Sequence, residues 1–80
     1  MGLGEKLEVI MRLDDLIKRK ATSSPKDLAS RLGLSERTVY NLINEMKRLG
    51  GPIYFCHSNN SYCYSEEVVL SIGYLSKDGF

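Results

Sequence analysis

The chain has 80 residues, of which 42% are hydrophobic and 26% are charged, and this balance excludes a disordered polymer. No apolar run approaches the roughly 18 residues of a membrane helix, and the first residues, MGLGEKLEVI, are too charged for a signal peptide. We therefore expect one cytoplasmic domain over residues 1–80, with one modest core and no membrane partner.

Charge is distributed unevenly along the chain, although the formal net charge is only +1. Residues 1–50 hold ten Lys or Arg against seven Asp or Glu, whereas residues 51–80 hold one Lys against three acidic residues. The basic part is the part with helical periodicity, which is compatible with a nucleic-acid partner.

Three helices are predicted from apolar spacing and capping signals. The first covers about residues 3–20, where apolar residues recur at three- and four-residue steps: Leu7, Ile10, Leu13 or Met11, Leu16 and Ile17. The second, about 25–32, begins with a predicted cap, a first-turn proline and a capping box, Ser24-Pro25-Lys26-Asp27. Gly33 is expected to end it in the left-handed conformation.

The third predicted helix covers about residues 36–49 and is capped by Ser35. Gly50-Gly51-Pro52 stops it. Its buried stripe is predicted to consist of Val39, Leu42, Ile43, Met46 and Leu49.

Beyond residue 52 the apolar period changes from 3.6 to 2. Strands are predicted at about 53–57 and 61–65, joined by a turn at 57–60, with one aromatic face formed by Ile53, Phe55, Tyr62 and Tyr64. We expect this face to pack on the helices rather than to stack on bases. A further strand at about 67–75 would complete the sheet or pair with a second copy. A homodimer is accordingly predicted, through this strand or the first helix.

Cys56 and Cys63 are too few for a disulfide scaffold, and His57 raises the number of potential metal ligands only to three. We therefore expect free, at least partly buried thiols, no metal and no cofactor. A disulfide would require a two-residue turn at Asn59-Asn60 that places Cys56 opposite Cys63, and a reducing compartment opposes it.

The segment Pro25–Asn44 has the pattern of a helix-turn-helix. Two capped helices that cross steeply need a small residue at their contact, which Ala29 supplies, and the short turn needs a residue tolerant of positive φ, which Gly33 supplies. Leucines and valine at the expected positions complete a small core between the helices: Leu28, Leu32, Leu34, Val39 and Leu42.

The outer face of the third helix carries side chains suited to a DNA groove. Arg grips guanine, Asn pairs with adenine, and Lys or Arg holds phosphate, as do hydroxyls at a helix start. The predicted DNA-binding residues are Ser35, Glu36, Arg37, Thr38, Tyr40, Asn41, Asn44, Lys47 and Arg48. One alternative is that these side chains only form a solvated helix face with no binding role. A second alternative is a protein-interaction module that does not bind DNA. No motif indicates an enzyme or a small-molecule effector site.

The sequence from residue 28 to residue 67 resembles the N-terminal DNA-binding domains of WYL-domain transcriptional regulators. It is also similar, more distantly, to domains of the deoxyribose-operon-repressor type and of the biotin operon repressor. The resemblance covers about residues 5–65 and is carried by Leu28-Ala29, Leu32-Gly33-Leu34-Ser35, Arg37-Thr38-Val39, Leu49-Gly50-Gly51-Pro52-Ile53 and Ser61-Tyr62. It implies an α+β winged helix-turn-helix: three helices and a β-hairpin wing, with both the third helix and the wing on the duplex.

Two departures from that family pattern limit what it implies. Tyr40-Asn41 stands where the family usually has Arg-Asp or a similar charged pair, so base preference does not transfer. The wing tip has no Lys or Arg and offers His57, Ser58, Asn59 and Asn60 as weaker DNA contacts.

The function predicted from the sequence is sequence-specific binding of double-stranded DNA by a transcriptional regulator.

Overall fold

A computed structural model of the chain describes residues 2–70 and contains three helices followed by an antiparallel hairpin. The helices are α1 (Leu3–Lys18), α2 (Pro25–Leu32) and α3 (Glu36–Arg48), and the strands are β1 (Ile53–Cys56) and β2 (Ser61–Tyr64). Every predicted element up to residue 65 is present, with ends at most two residues earlier than expected. Within residues 2–70 no helix is both long and apolar enough to cross a membrane.

The predicted C-terminal strand falls largely outside the described residues. Its first part, residues 67–70, has no regular secondary structure, and residues 71–75 are not described. The single domain over 1–80, the homodimer and the cytoplasmic location are not tested by the described residues and stay predictions.

The α1 helix presents one face to the core, as its spacing predicts. Ile10, Leu13 and Ile17 are buried. The sequence left Leu13 and Met11 as alternatives for the middle of the apolar stripe, and Leu13 occupies it, because Met11 is 58% exposed. The unexpected member of the buried face is Asp14, which is 9% exposed. Lys18 neutralises its carboxylate at 3.1 Å, one helical turn later.

The α2 helix begins and ends at the predicted residues. The Ser24 hydroxyl accepts a hydrogen bond from the Asp27 backbone N–H at 3.2 Å, and Pro25 occupies the first turn. The reciprocal half of the predicted capping box is absent, because the Asp27 carboxylate accepts from the Ser23 hydroxyl at 2.9 Å instead. Gly33 ends the helix at φ 69°, in the left-handed region where a glycine carries no steric cost.

The α3 helix packs its apolar stripe into the core, with one exception to the prediction. Val39, Leu42, Ile43 and Met46 are each at most 4% exposed, but Leu49 is 77% exposed. The helix ends at Arg48, so Leu49 no longer follows the helical period, and Gly50 turns the chain at φ 102°. The prediction that Leu49 belongs to the core was therefore wrong.

The hairpin packs its predicted face on the helices. Its register pairs Ile53 with Tyr64 and Phe55 with Tyr62, and these four side chains all belong to the core cluster or pack against it. The rings of Phe55 and Tyr62 meet edge to face, with centroids 5.2 Å apart. The prediction that these aromatics serve packing is confirmed.

A buried polar contact ties the hairpin to the segment between α1 and α2. The Tyr62 backbone N–H donates to Thr22 Oγ1 at 2.8 Å, and the Thr22 N–H donates to Ser61 Oγ at 3.1 Å. Thr22 and Ser61 are both fully buried. The Thr22 hydroxyl thus accepts a hydrogen bond from a backbone N–H of β2, as the carbonyl of a neighbouring third strand would.

Candidate nucleic-acid interface

The outer face of α3 carries a straight row of polar side chains. Arg37, Asn41, Asn44 and Arg48 follow one another at intervals of four, three and four residues, which keeps them on one line of an α-helix. At about 100° per residue, this row lies opposite the buried stripe centred on Leu42 and Met46. The row spans most of a 13-residue helix, about 20 Å long.

The nine residues predicted to bind DNA lie together on this helix and its cap. Eight of them are exposed and Thr38 is half-buried. Beside the straight row, Glu36, Tyr40 and Lys47 share one flank of the helix. Burial raises the pKa of Tyr62 of the hairpin, and the nearby Tyr40 hydroxyl raises it further.

The charge of the outer face is positive because its acidic neighbour is neutralised elsewhere. Glu45 lies on the flank of α3 opposite Tyr40, where Lys6 of α1 pairs with it at 2.8 Å. Among the described residues, Arg37, Lys47 and Arg48 form no ion pair. Three unpaired cations and one carboxylate, that of Glu36, therefore face solvent together, as a surface for a polyanion requires.

The start of α3 presents a hydroxyl donor as well as backbone amides. Ser35 Oγ accepts from the Thr38 backbone N–H at 3.1 Å and lies 2.9 Å from Thr38 Oγ1. Only one of the two hydroxyl protons is used between these oxygens, so the other is available to a ligand. Free amides, a helix dipole and this hydroxyl together suit a phosphate.

The turn between α2 and α3 fixes the angle at which the row is presented. Ala29 is 3% exposed at the helix contact, and its carbonyl accepts from the Leu34 N–H at 2.9 Å. The left-handed Gly33 lets the chain reverse within Gly33, Leu34 and Ser35. The small residue and the turn glycine predicted from the pattern are both found in the expected places.

The hairpin tip, residues 57–60, contains neither Lys nor Arg. His57, Ser58, Asn59 and Asn60 are all exposed in a four-residue turn, in which Asn60 has φ 49°. The His57 ring stands edge to face on Phe55 at 5.1 Å, so the core face of the hairpin continues to the tip. The four residues predicted as weaker contacts are thus gathered at one exposed point.

The sequence did not reveal the polar residues that hold the wing in place. Tyr64 of β2 donates its hydroxyl to Asp14 Oδ1 at 2.7 Å, and this contact spans fifty positions of the chain. Burial and the Asp14 carboxylate together raise the pKa of Tyr64 far above its usual value. The only available signal was Asp14 inside an otherwise apolar helical stripe, together with a hydroxyl on the core face of the hairpin.

Comparison with known proteins agrees with this architecture. A family model described as an HTH domain matches residues 3–55, from the start of α1 into β1 and across the whole of α2, the turn and α3. No curated protein and no solved structure matches the chain. Since the match covers well over half of the sequence, the chain belongs to the helix-turn-helix (HTH) family of DNA-binding domains.

Proposed function

We propose that this domain binds double-stranded DNA sequence-specifically, with α3 in the major groove, as the DNA-binding part of a transcriptional regulator of the WYL-domain type. The observation that supports this most strongly is the straight row of Arg37, Asn41, Asn44 and Arg48. The fold does not use this row, since all its members are exposed and lie opposite the core. A major groove about 12 Å wide admits one α-helix and offers partners to these side chains.

Within the row, chemistry assigns different partners to different residues. Arg37 lies in the first turn of α3 and is suited to guanine O6 and N7, while Asn41 and Asn44 are suited to adenine N6 and N7. Lys47 and Arg48 lie in the last turn and are assigned to phosphates, which position the helix without reading sequence. Ser35 and Thr38 are assigned to a phosphate at the other end.

The wing is proposed to make a second and weaker contact. His57, Ser58, Asn59 and Asn60 can hydrogen-bond to sugar and phosphate oxygens. Because the tip lacks Lys and Arg, it releases few counterions, and its contribution to the salt dependence of affinity is expected to be small.

A docking module for another protein is the alternative, and the composition of the face argues against it. Protein-binding hot spots are centred on buried aromatic or aliphatic anchors. On the outer face of α3, among the described residues, the large side chain of this kind is Tyr40, which is 46% exposed. The other members are charged residues, amides and a hydroxyl.

The proposal is tested by selecting duplexes from a random pool and measuring affinity by fluorescence anisotropy at several salt concentrations. Arg37→Ala is expected to lower affinity for the selected duplex by about 1–3 kcal/mol and to relax preference at one position. Arg48→Ala is expected to weaken binding to all duplexes and to reduce the salt slope by about 0.9.

Arg12→Ala is the matched control, because Arg12 is an exposed arginine on α1 and its loss changes the net charge equally. It is expected to leave affinity within a factor of two to three. If Arg12→Ala weakened binding as much as Arg37→Ala and Arg48→Ala, the interface would not be on α3.

A further inference from the structure

Both cysteines of the chain lie on the hairpin, on the same face. The register pairs Cys56 with Ser61 and Tyr54 with Cys63, so the two cysteines are diagonal neighbours across the strands. They point away from the face that carries Phe55 and Tyr62, because side chains alternate along a strand. The turn takes the four predicted residues, 57–60, so the two-residue turn that would set Cys56 directly opposite Cys63 is not formed.

The environments of the two thiols differ. Cys56 is half-exposed next to the turn, whereas Cys63 is fully buried and donates to the Ser61 carbonyl at 3.6 Å. The Asn59 side-chain amide donates to the Cys56 sulfur at 3.4 Å. Hydrogen bonds from the Asn59 and Ser58 backbone and from the Asn59 side chain lower the pKa of the Cys56 thiol, and the Cys63 thiol lowers it further, against an opposing effect of desolvation. An accessible sulfur surrounded by donors, with a second thiol beside it, is the arrangement of an oxidisable cysteine.

We infer that Cys56 is a site of oxidation by hydroperoxides and that Cys63 is the thiol that then closes a disulfide with it. In the first step the Cys56 thiolate attacks the terminal peroxide oxygen and the O–O bond breaks. An alkoxide or hydroxide leaves and takes a proton from solvent, and Cys56 becomes a sulfenic acid. The sulfur loses two electrons and the peroxide gains them. In the second step the Cys63 sulfur attacks the Cys56 sulfur, the S–O bond breaks, and the leaving hydroxide combines with the Cys63 proton as water.

The second step requires the hairpin to move. Diagonal positions across an antiparallel pair have Cα atoms about 7–8 Å apart, and a disulfide needs about 4.4–6.8 Å. Closing the bridge therefore draws the strands together at this point and disturbs the turn that Asn59 stabilises. Such a strained disulfide is easily reduced, as a reversible modification requires. This chemistry does not depend on whether α3 binds DNA.

The experiment treats the full chain with hydrogen peroxide and locates the modification by mass spectrometry of peptides. The wild-type chain is expected to form an intramolecular Cys56–Cys63 disulfide that dithiothreitol reverses. Cys63→Ser is expected to stop at a sulfenic acid on Cys56 that dimedone traps, and Cys56→Ser is expected to protect Cys63 from peroxide. Circular dichroism checks that both variants are folded.

A measurement on the unmodified wild-type chain guards against a folding defect in the Cys63 variant. The rate at which iodoacetamide alkylates Cys56 is expected to reach half its maximum at a pH below the pKa of free cysteine, which is about 8.5. Oxidation of Cys63 in the folded Cys56→Ser variant at the wild-type rate would overturn the inference. Oxidation of Cys56 no faster than a cysteine in a short peptide would overturn it equally.

Discussion

The buried contact between Thr22 and the hairpin gives the sharpest stability prediction. Thr22→Val keeps the shape of the side chain but removes the acceptor of the Tyr62 N–H at 2.8 Å and the hydroxyl that lies 3.0 Å from Ser61 Oγ. A buried N–H without a partner costs about 1–3 kcal/mol, and the lost contact with Ser61 adds to this. We expect a total loss of about 2–3 kcal/mol, or roughly 10–20 °C in Tm for a chain of this size.

Urea unfolding followed by circular dichroism measures this loss, and Thr22→Ser is the matched control. The serine keeps the hydroxyl and removes one methyl group, so its cost is expected to be about 1 kcal/mol. A Thr22→Val variant as stable as Thr22→Ser would contradict the prediction, because the hydroxyl would then contribute nothing to stability. A double-mutant cycle with Ser61→Ala is expected to give a coupling energy of at least about 0.5 kcal/mol.

Three further predictions concern pH, the turn and assembly. Tyr64 has a raised pKa in the folded state, so above about pH 10 only the unfolded tyrosine ionises. The free energy of unfolding is therefore expected to fall as pH rises above about 10. Urea titrations measure this fall, and Tyr64→Phe is expected to make it smaller. Gly33 has φ 69° with open space around it, so a side chain there meets backbone strain rather than a clash with a neighbour. Gly33→Val is expected to lower the free energy of unfolding by about 1–2 kcal/mol, and Gly33→Asn is expected to lower it by less. Sedimentation at tens of micromolar is expected to reveal a dimer, and a monomer there would contradict the predicted assembly.

Local sequence signals predicted the helices, the turn and the α3 surface. Ser24, Pro25, Gly33 and Ser35 act within a few residues of themselves, so their spacing alone determines where α2 and α3 begin and end. The apolar period of α3 separates its buried stripe from its polar face without reference to any other element. The candidate DNA-binding residues could therefore be chosen from the sequence, and the structure adds that four of them form a straight row.

Contacts between distant parts of the chain could not be predicted in the same way. The partners Asp14 and Tyr64 are fifty positions apart, and Thr22 and Ser61 are thirty-nine apart, so no local pattern links them. The strand register pairs Cys56 with Ser61 across the four-residue turn, so Cys56 and Cys63 are not directly opposed. Leu49 fitted the helical period but lies just beyond the last turn of the helix.

The outer row of α3 is proposed to lie against DNA. Amide chemical-shift changes on addition of a selected duplex test it most directly, since every backbone position reports at once. We predict that the largest changes fall on residues 35–48, with smaller ones at 57–60, and that exposed α1 residues such as Met11 and Arg12 change little. Large changes confined to α1, or none on residues 35–48 under saturating duplex, would contradict the account.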